Sequence, residues 1–134
     1  MQTSGLLVVA HAPLGSALLQ VIAHILGELP TYLKILDIAP NAEREIYLDQ
    51  GLLLLKQINH HHGVVIFSDC RGSTPGNIAA QLHCVAHKSS LVYGVNLPML
   101  LRAINYAVQP HAVVAAAAMT GGKAAIVSPE SAHD

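Results

Sequence analysis

Polar side chains that could do chemistry follow three of the apolar runs in this sequence. His11 comes directly after Leu6 to Ala10, the segment 69–74 follows Val64 to Phe67, and Asn96 follows the next such run. In an open parallel sheet the working site lies beyond the carboxyl ends of the strands. If these runs are neighbouring strands, we expect the three loops to converge on one site.

Within that site, His11 and Asp69 could form a nucleophile and its orienting carboxylate. An imidazole is nucleophilic and largely unprotonated near neutral pH, and hydrogen-bonding one ring nitrogen to a carboxylate leaves the other nitrogen's lone pair free. Ser73, Thr74 and Pro75 are typical of a helix start, whose N–H groups and positive dipole end suit a phosphoryl group. These features predict a phosphohistidine site, although a histidine after a strand also has an ordinary interpretation as a solvated residue.

The elements that must position these residues alternate between strands and helices. Apolar patterning predicts strands at 6–10, 32–38, 64–67, 91–93 and 124–127. It predicts helices at 16–29, from 40–41 through 58, at 75–87, from 98 through 106, and at 111–119, the last broken by Gly121-Gly122. This order with short connections indicates an α/β fold, a doubly wound and mostly parallel sheet with helices on both faces.

The composition describes one globular domain over residues 1–134, with a tail at 128–134 that we expect to fray. Hydrophobic residues make up 52% of the chain and charged residues 11%, which excludes a disordered protein. A formal net charge of -1 without a block of like charge excludes an electrostatic nucleic-acid surface. Two cysteines make no disulfide framework, and there is neither a leader nor an apolar run of about 20 residues, so we expect a soluble, cytoplasmic protein.

Other candidate residues have more ordinary explanations. His60 to His62 close a predicted helix, where protonated imidazole favours the negative end of the dipole. His83 and His87 have a spacing that can hold zinc, but two further ligands are not evident, so we expect no metal. Cys70 is either a reactive thiol or, as we favour, a small semi-buried residue, and Cys84 is expected in the core.

Three segments carry a resemblance to a known family. They are LLVVAHAPLGSALL, VVIFSDCRGSTPGNIA and YGVNLPMLLRAI, of which the third is the most specific because no generic α/β turn requires it. Over about residues 5–127, the chain resembles the IIA component of the mannose-type (mannose/fructose/sorbose) phosphoenolpyruvate-dependent sugar phosphotransferase system.

The resemblance implies a role for each residue of the predicted site. His11 would accept a phosphoryl group from the histidine-containing phosphocarrier protein and pass it to a IIB component. Asp69 would hydrogen-bond the imidazole, and Ser73 and Thr74 would hold the phosphoryl oxygens. Arg71 is not implied by the resemblance, because this loop departs from the family's usual aromatic-Gly-Gly-Ser-Pro; it adds a cation that could steady the phosphoryl charge or pair with an acidic partner. No cofactor is implied, and the membrane is reached only indirectly, through a permease complex.

The resemblance also implies a homodimer in which a short C-terminal antiparallel strand crosses to the partner. Ala124 to Val127 would be that strand, added to four parallel ones, and the low charge content fits a covered face. The chain departs from the family's usual Thr-His-Gly, since it has Ala10-His11-Ala12.

More than one function remains open. The leading interpretation is a phosphoryl-carrier component of sugar transport, with the phosphotransfer subunit of a dihydroxyacetone kinase as a variant. The alternative is a regulatory module, in which phosphorylated His11 reports the state of the relay to a partner. A metal chelatase would need further carboxylate or histidine ligands at the carboxyl edge, where only Asp69 lies nearby.

Overall fold

Strands and helices alternate along the chain as the apolar pattern predicts. The computed structural model describes residues 2–132. Its strands are β1 Gly5–His11, β2 Leu33–Ile38, β3 Val64–Ser68 and β4 Ser89–Tyr93. Its helices are α1 Leu14–Leu26, α2 Arg44–Ile58, α3 Thr74–Val85, α4 Leu97–Asn105, α5 His111–Ala124 and α6 Pro129–Ala132. None of the helices in this part of the chain is long and apolar enough to cross a membrane.

The four strands form one parallel sheet in the order β2-β1-β3-β4. β1 and β3 are central, and all of their residues except His11 are buried. Strands covered on both faces consist of continuous apolar runs, which is why these two segments stand out in the sequence. The order confirms that the strands preceding His11, Asp69 and Asn96 are neighbours.

Helices cover both faces of the sheet, so the core has two layers. One layer packs α1, α4 and α5 against residues such as Val8 and Phe67, and the other packs α2 and α3 against residues such as Val9 and Ile66. Consecutive strand residues point to opposite faces, so each central strand contributes to both layers. The doubly wound, parallel α/β architecture is therefore confirmed.

The end of α1 and the start of α2 each differ from the prediction, because of turns that the apolar spacing does not reveal. α1 ends at Leu26 rather than Leu29, since Gly27 adopts the left-handed conformation at φ 85° and caps the helix with its N–H. α2 begins only at Arg44, since Asn41 is also left-handed, at φ 59°, and a right-handed helix cannot include it.

The prediction that Gly121-Gly122 break the last long helix is wrong. α5 continues through both glycines to Ala124, because they lie in its contact with α4. A Cβ at Gly121 would lie 2.9 Å from the Cβ of Arg102, so glycine at this position lets the two helices approach closely.

The predicted fifth strand at Ala124 to Val127 is not formed within the described chain. Ala124 is still helical, since alanine and lysine around it favour a helix, and Ile126 and Val127 follow in an irregular segment. Their side chains are 81% and 71% exposed. The tail expected to fray contains the short helix α6, and its last residues, 133–134, lie outside the described part.

Candidate functional site

The ends of β1 and β3 bring His11 and Asp69 into contact. Nδ1 of His11 lies 2.7 Å from Oδ2 of Asp69, and the backbone N–H of His11 donates to the same oxygen at 3.0 Å. The other carboxylate oxygen, Oδ1, accepts the N–H of Cys70 at 2.9 Å. A single carboxylate therefore holds both the ring and the backbone of His11.

The surroundings of Asp69 favour its ionised form. Burial is the largest single influence and raises the pKa, since only 11% of the side chain is exposed. The hydrogen bonds from the backbone and ring of His11, the charge of that ring and the N–H of Cys70 act in the opposite direction. Together they hold the pKa of Asp69 below its ordinary value of 3.8, so the side chain is an anion at neutral pH.

An ionised Asp69 determines which nitrogen of His11 carries the proton. A carboxylate can only accept a hydrogen bond, so Nδ1 donates, and Nε2 of the neutral ring keeps its lone pair. The ring lies at the surface, with 55% of the His11 side chain exposed. An oriented, accessible nitrogen of this kind can act as a nucleophile toward a group presented by another protein.

The loop after β3 begins α3 with a capped first turn. Ser73 is the N-cap, since its Oγ accepts the N–H of Gly76 at 3.2 Å and donates to the carbonyl of Cys70 at 2.7 Å. Thr74 is the first helical residue, and within residues 2–132 neither its N–H nor its hydroxyl makes a hydrogen bond. Pro75 has no N–H, so Thr74 provides the unused donors of this turn.

A cavity of about 380 Å³ joins the imidazole to this first turn. It is lined by His11 and Ala12, by Thr74 and Pro75, and by residues 38–42 after β2. The N-terminal end of a helix carries a partial positive charge, and its free N–H groups bind anions such as phosphate. The cavity is therefore lined both by His11 and by the start of a helix, a position that can bind an anion.

Arg71 and Cys70 lie in the same loop but outside this cavity. Arg71 is exposed, and its guanidinium makes no ion pair or hydrogen bond with the part of the chain that the structure describes. Cys70 is also exposed, not semi-buried as favoured from the sequence, and Cys84 is exposed rather than in the core. Both cysteines follow apolar segments closely, which is why their burial is overestimated from the sequence.

Two histidines elsewhere contact serines at the start of β4. Nδ1 of His83 lies 2.7 Å from the hydroxyl of Ser89, and Nδ1 of His111 lies 2.8 Å from that of Ser90, both at the start of β4. Among the described residues, no three histidine, cysteine or carboxylate side chains are arranged to hold a metal ion. A depression of about 520 Å³ over α4 and α5 is wider than the one at His11 but is lined by neither histidine nor carboxylate.

Two further residues at the carboxyl edge are not singled out by the sequence pattern. Asp37 lies near the end of β2, beside Ala10 of β1, and Asn41 lines the cavity next to His11. Asp37 is the last residue but one of the second predicted strand, and Asn41 follows that strand. A polar residue where a parallel strand ends is the signal that could have drawn attention to them.

The fold is similar to that of several solved IIA proteins of phosphotransferase systems. The mannose/sorbose-specific IIA subunit from Enterococcus faecalis superposes with a TM-score of 0.82 at 22% identity, covering 96% of this chain and 95% of that one. The component EIIA from Streptococcus agalactiae gives 0.77 at 20% identity, covering 92% and 95%. The IIA protein associated with the fucose utilization operon of Streptococcus pneumoniae gives 0.77 at 19% identity, covering 100% of both chains.

The family itself is established by sequence. The family model described as the PTS system fructose IIA component matches residues 5–120, which is most of the chain. No curated protein sequence matches. The chain belongs to the PTS fructose IIA component family, in agreement with the resemblance in its three motifs. Membership brings a general role in phosphoryl transfer within a sugar phosphotransferase system, and it leaves the metal-chelatase alternative without support.

Proposed function

We propose that this protein carries a phosphoryl group on Nε2 of His11, receiving it from the histidine-containing phosphocarrier protein and passing it to a IIB component. The observation that carries the proposal is the 2.7 Å contact between Nδ1 of His11 and Asp69. That contact directs the lone pair of Nε2 away from the carboxylate, on a ring that is 55% exposed.

The transfer step follows from this geometry. Nε2 of neutral His11 attacks the phosphorus of the donor's phosphohistidine in line. The new N–P bond forms as the donor's N–P bond breaks, and the donor imidazole keeps the bonding electron pair. The phosphorylated ring of His11 retains its Nδ1 proton and becomes cationic, and the carboxylate of Asp69 offsets that charge. Such chemistry depends mainly on positioning and charge stabilisation.

The first turn of α3 would bind the phosphoryl oxygens. Thr74 shares the cavity with His11 and has an unused N–H and hydroxyl within the described chain, so we assign it the direct contact. Ser73 contributes by capping the turn, because its hydroxyl is engaged with Cys70 and Gly76. Arg71, exposed in the same loop, adds positive charge toward the donor or the phosphoryl group.

We propose in addition that two copies form a homodimer that covers the segment after α5. Ile126 and Val127 are large apolar residues exposed by 81% and 71%, and a pair of this kind in solvent is typical of an interface. The family resemblance implies that this segment crosses to the partner.

The direct test is intact-mass spectrometry after incubation with phosphoenolpyruvate, enzyme I and the phosphocarrier protein. The wild-type protein should gain one acid-labile phosphoryl group, and His11→Ala should gain none. His24→Ala removes an exposed histidine of α1 and should load like the wild type. An unmodified wild-type protein, or an adduct that persists in His11→Ala, would overturn the proposal.

Adding candidate IIB proteins to the loaded protein identifies the acceptor. Loss of the phosphoryl group to one of them supports the carrier function. Retention with every IIB protein of the source organism contradicts that step and leaves the regulatory module, in which phosphorylated His11 is itself the signal.

A further inference from the structure

The connection between β1 and α1 is hydrogen-bonded to the end of β2. The backbone N–H of Ala12 donates to the carbonyl of Ile38 at 2.9 Å. Four residues later, the N–H of Ser16 donates to Oδ2 of Asp37 at 3.2 Å, and the Ser16 hydroxyl donates to the same oxygen. Two adjacent residues of β2 thereby hold both ends of the short segment that follows His11.

The carboxylate of Asp37 replaces the cap that α1 lacks. Pro13 precedes the helix and makes no side-chain capping bond, and Ser16 is the third residue of α1. An anion at this position accepts an otherwise unpaired N–H and complements the positive end of the helix dipole. Asp37 is thus a capping residue supplied by another strand rather than by the sequence preceding the helix.

The other oxygen of Asp37 shows that this contact has a cost. Oδ1 is buried and makes no hydrogen bond within residues 2–132. A Cβ at Gly15 would lie 2.5 Å from it, so the first turn of α1 presses directly against the carboxylate. A buried acceptor without a partner is unfavourable, and such groups in native structures call for an explanation.

We propose that Asp37 is a positioning residue for phosphoryl transfer at His11, acting through Ser16; this inference rests on the function proposed above. Asp69 holds the backbone N–H of His11 from the β3 side, while Asp37 and Ile38 hold the following segment from the β2 side. The position of the imidazole relative to Thr74 is set between these two anchors. Loosening the Asp37 anchor displaces the ring although Asp37 touches neither reactant.

The test compares variants at Ser16 and Asp37 with a control elsewhere. Ser16→Ala deletes the hydroxyl hydrogen bond to Asp37 and keeps the one from its backbone N–H, whereas Ser16→Thr retains both. Ser4→Ala is the matched control, because the Ser4 hydroxyl donates to the carbonyl of Gln109 at 2.6 Å, before the start of β1. Asp37→Ala removes both hydrogen bonds from Ser16 and leaves the one from Ala12 to Ile38, and Ser16→Ala serves in its place should that variant fail to fold.

Two readouts apply to each variant: the rate of phosphoryl loading, and the ratio of the two His11 tautomers from ¹⁵N NMR. Ser16→Ala should load about tenfold more slowly and shift the tautomer ratio, because small displacements of a reacting group are costly, whereas Ser16→Thr should restore both. Wild-type values in Ser16→Ala, or equal losses in Ser4→Ala, would overturn the inference. If even the wild type does not load, the proposed function fails, and the tautomer ratio still decides whether Asp37 positions the ring.

Discussion

Asp69 interacts with His11 through its negative charge and through the geometry of its hydrogen bonds, and these two contributions can be separated. Its Oδ2 accepts hydrogen bonds from the ring and the backbone N–H of His11, while Oδ1 accepts one from the backbone N–H of Cys70. The hydrogen bonds from His11 that lower the pKa of Asp69 also orient the imidazole, which is the proposed nucleophile. An uncharged side chain of the same shape retains part of the geometry and loses the charge.

Asp69→Asn should slow phosphoryl loading by roughly tenfold or more while leaving the protein folded, because an amide neither requires Nδ1 to be protonated nor balances a cationic phosphorylated ring. Loading is followed by intact mass over time, and folding by circular dichroism. Asp49→Asn, which neutralises an exposed carboxylate of α2, is the control and should load normally. Normal loading of Asp69→Asn would remove the orienting role.

The two hydroxyls at the start of α3 should give opposite results. Ser73→Ala removes an N-cap and should lower the free energy of unfolding by about 1 kcal/mol, with the loading rate reduced less than in Thr74→Val. Thr74→Val removes a donor from the cavity wall and should slow loading with little change in stability. Urea denaturation and loading kinetics on both variants decide the assignment, and the reverse pattern would give the phosphoryl contact to Ser73.

At the scale of elements, the sequence predicts the strands that are buried on both faces, and it misses features that depend on local turns or on contacts between helices. β1 and β3 can be predicted because a strand covered on both faces is a continuous apolar run. The N-cap at Ser73 can be predicted from local chemistry. The proximity of His11 and Asp69 can be predicted from the expected order of the strands. The continuation of α5 through Gly121 cannot be predicted from the sequence, because it depends on the close approach of Arg102 on α4.

Gly121→Ala tests that last explanation directly. Alanine ordinarily favours a helix over glycine by about 1 kcal/mol, but a Cβ here would lie 2.9 Å from the Cβ of Arg102. We expect the crowding to prevail and the free energy of unfolding to fall by about 1–3 kcal/mol, as measured in urea. Thr120→Ala, at an exposed neighbouring position, should change stability by less than about 0.5 kcal/mol. A stabilised Gly121→Ala would mean that α4 and α5 are less tightly packed.

The start of β4 should be sensitive to pH. Burial, followed by the charges of His83 and Lys88, lowers the pKa of His111 below 6.5. The unfolded chain then binds this proton more readily than the folded one, so the stabilising contribution is complete above pH 6.5 and is lost as the pH falls from there toward the folded pKa. The unfolding free energy should decline as the pH falls below 6.5, and less steeply in His111→Gln. If the unfolding free energy declined equally with pH in the wild type and in His111→Gln, His111 would be excluded as the cause of the decline.

At the scale of the whole molecule, the site proposed around His11 and the contacts between histidines and serines lie at opposite ends of the sheet. The carboxyl edge holds His11, Asp69 and the start of α3, while histidine–serine contacts secure β4 at the amino edge. Acidification therefore affects the two ends in different ranges. The contribution of Asp69 to stability is complete above its ordinary pKa of 3.8 and is lost only as the pH falls through its still lower folded pKa.

The exposed residues after α5 lead to the prediction for assembly. If Ile126 and Val127 are covered by a second copy, sedimentation velocity should give the wild type twice the 14.1 kDa mass of one chain, and Ile126→Ser/Val127→Ser should sediment as a single chain. Leu53→Ser is the control, because Leu53 is 61% exposed on α2 and lies outside the proposed interface. A monomeric wild type would contradict the homodimer, and so would a double variant that remains dimeric. Because the His11 site is built from one chain, the monomeric variant should still accept a phosphoryl group, and a complete loss of loading on dissociation would show that the partner contributes to the site.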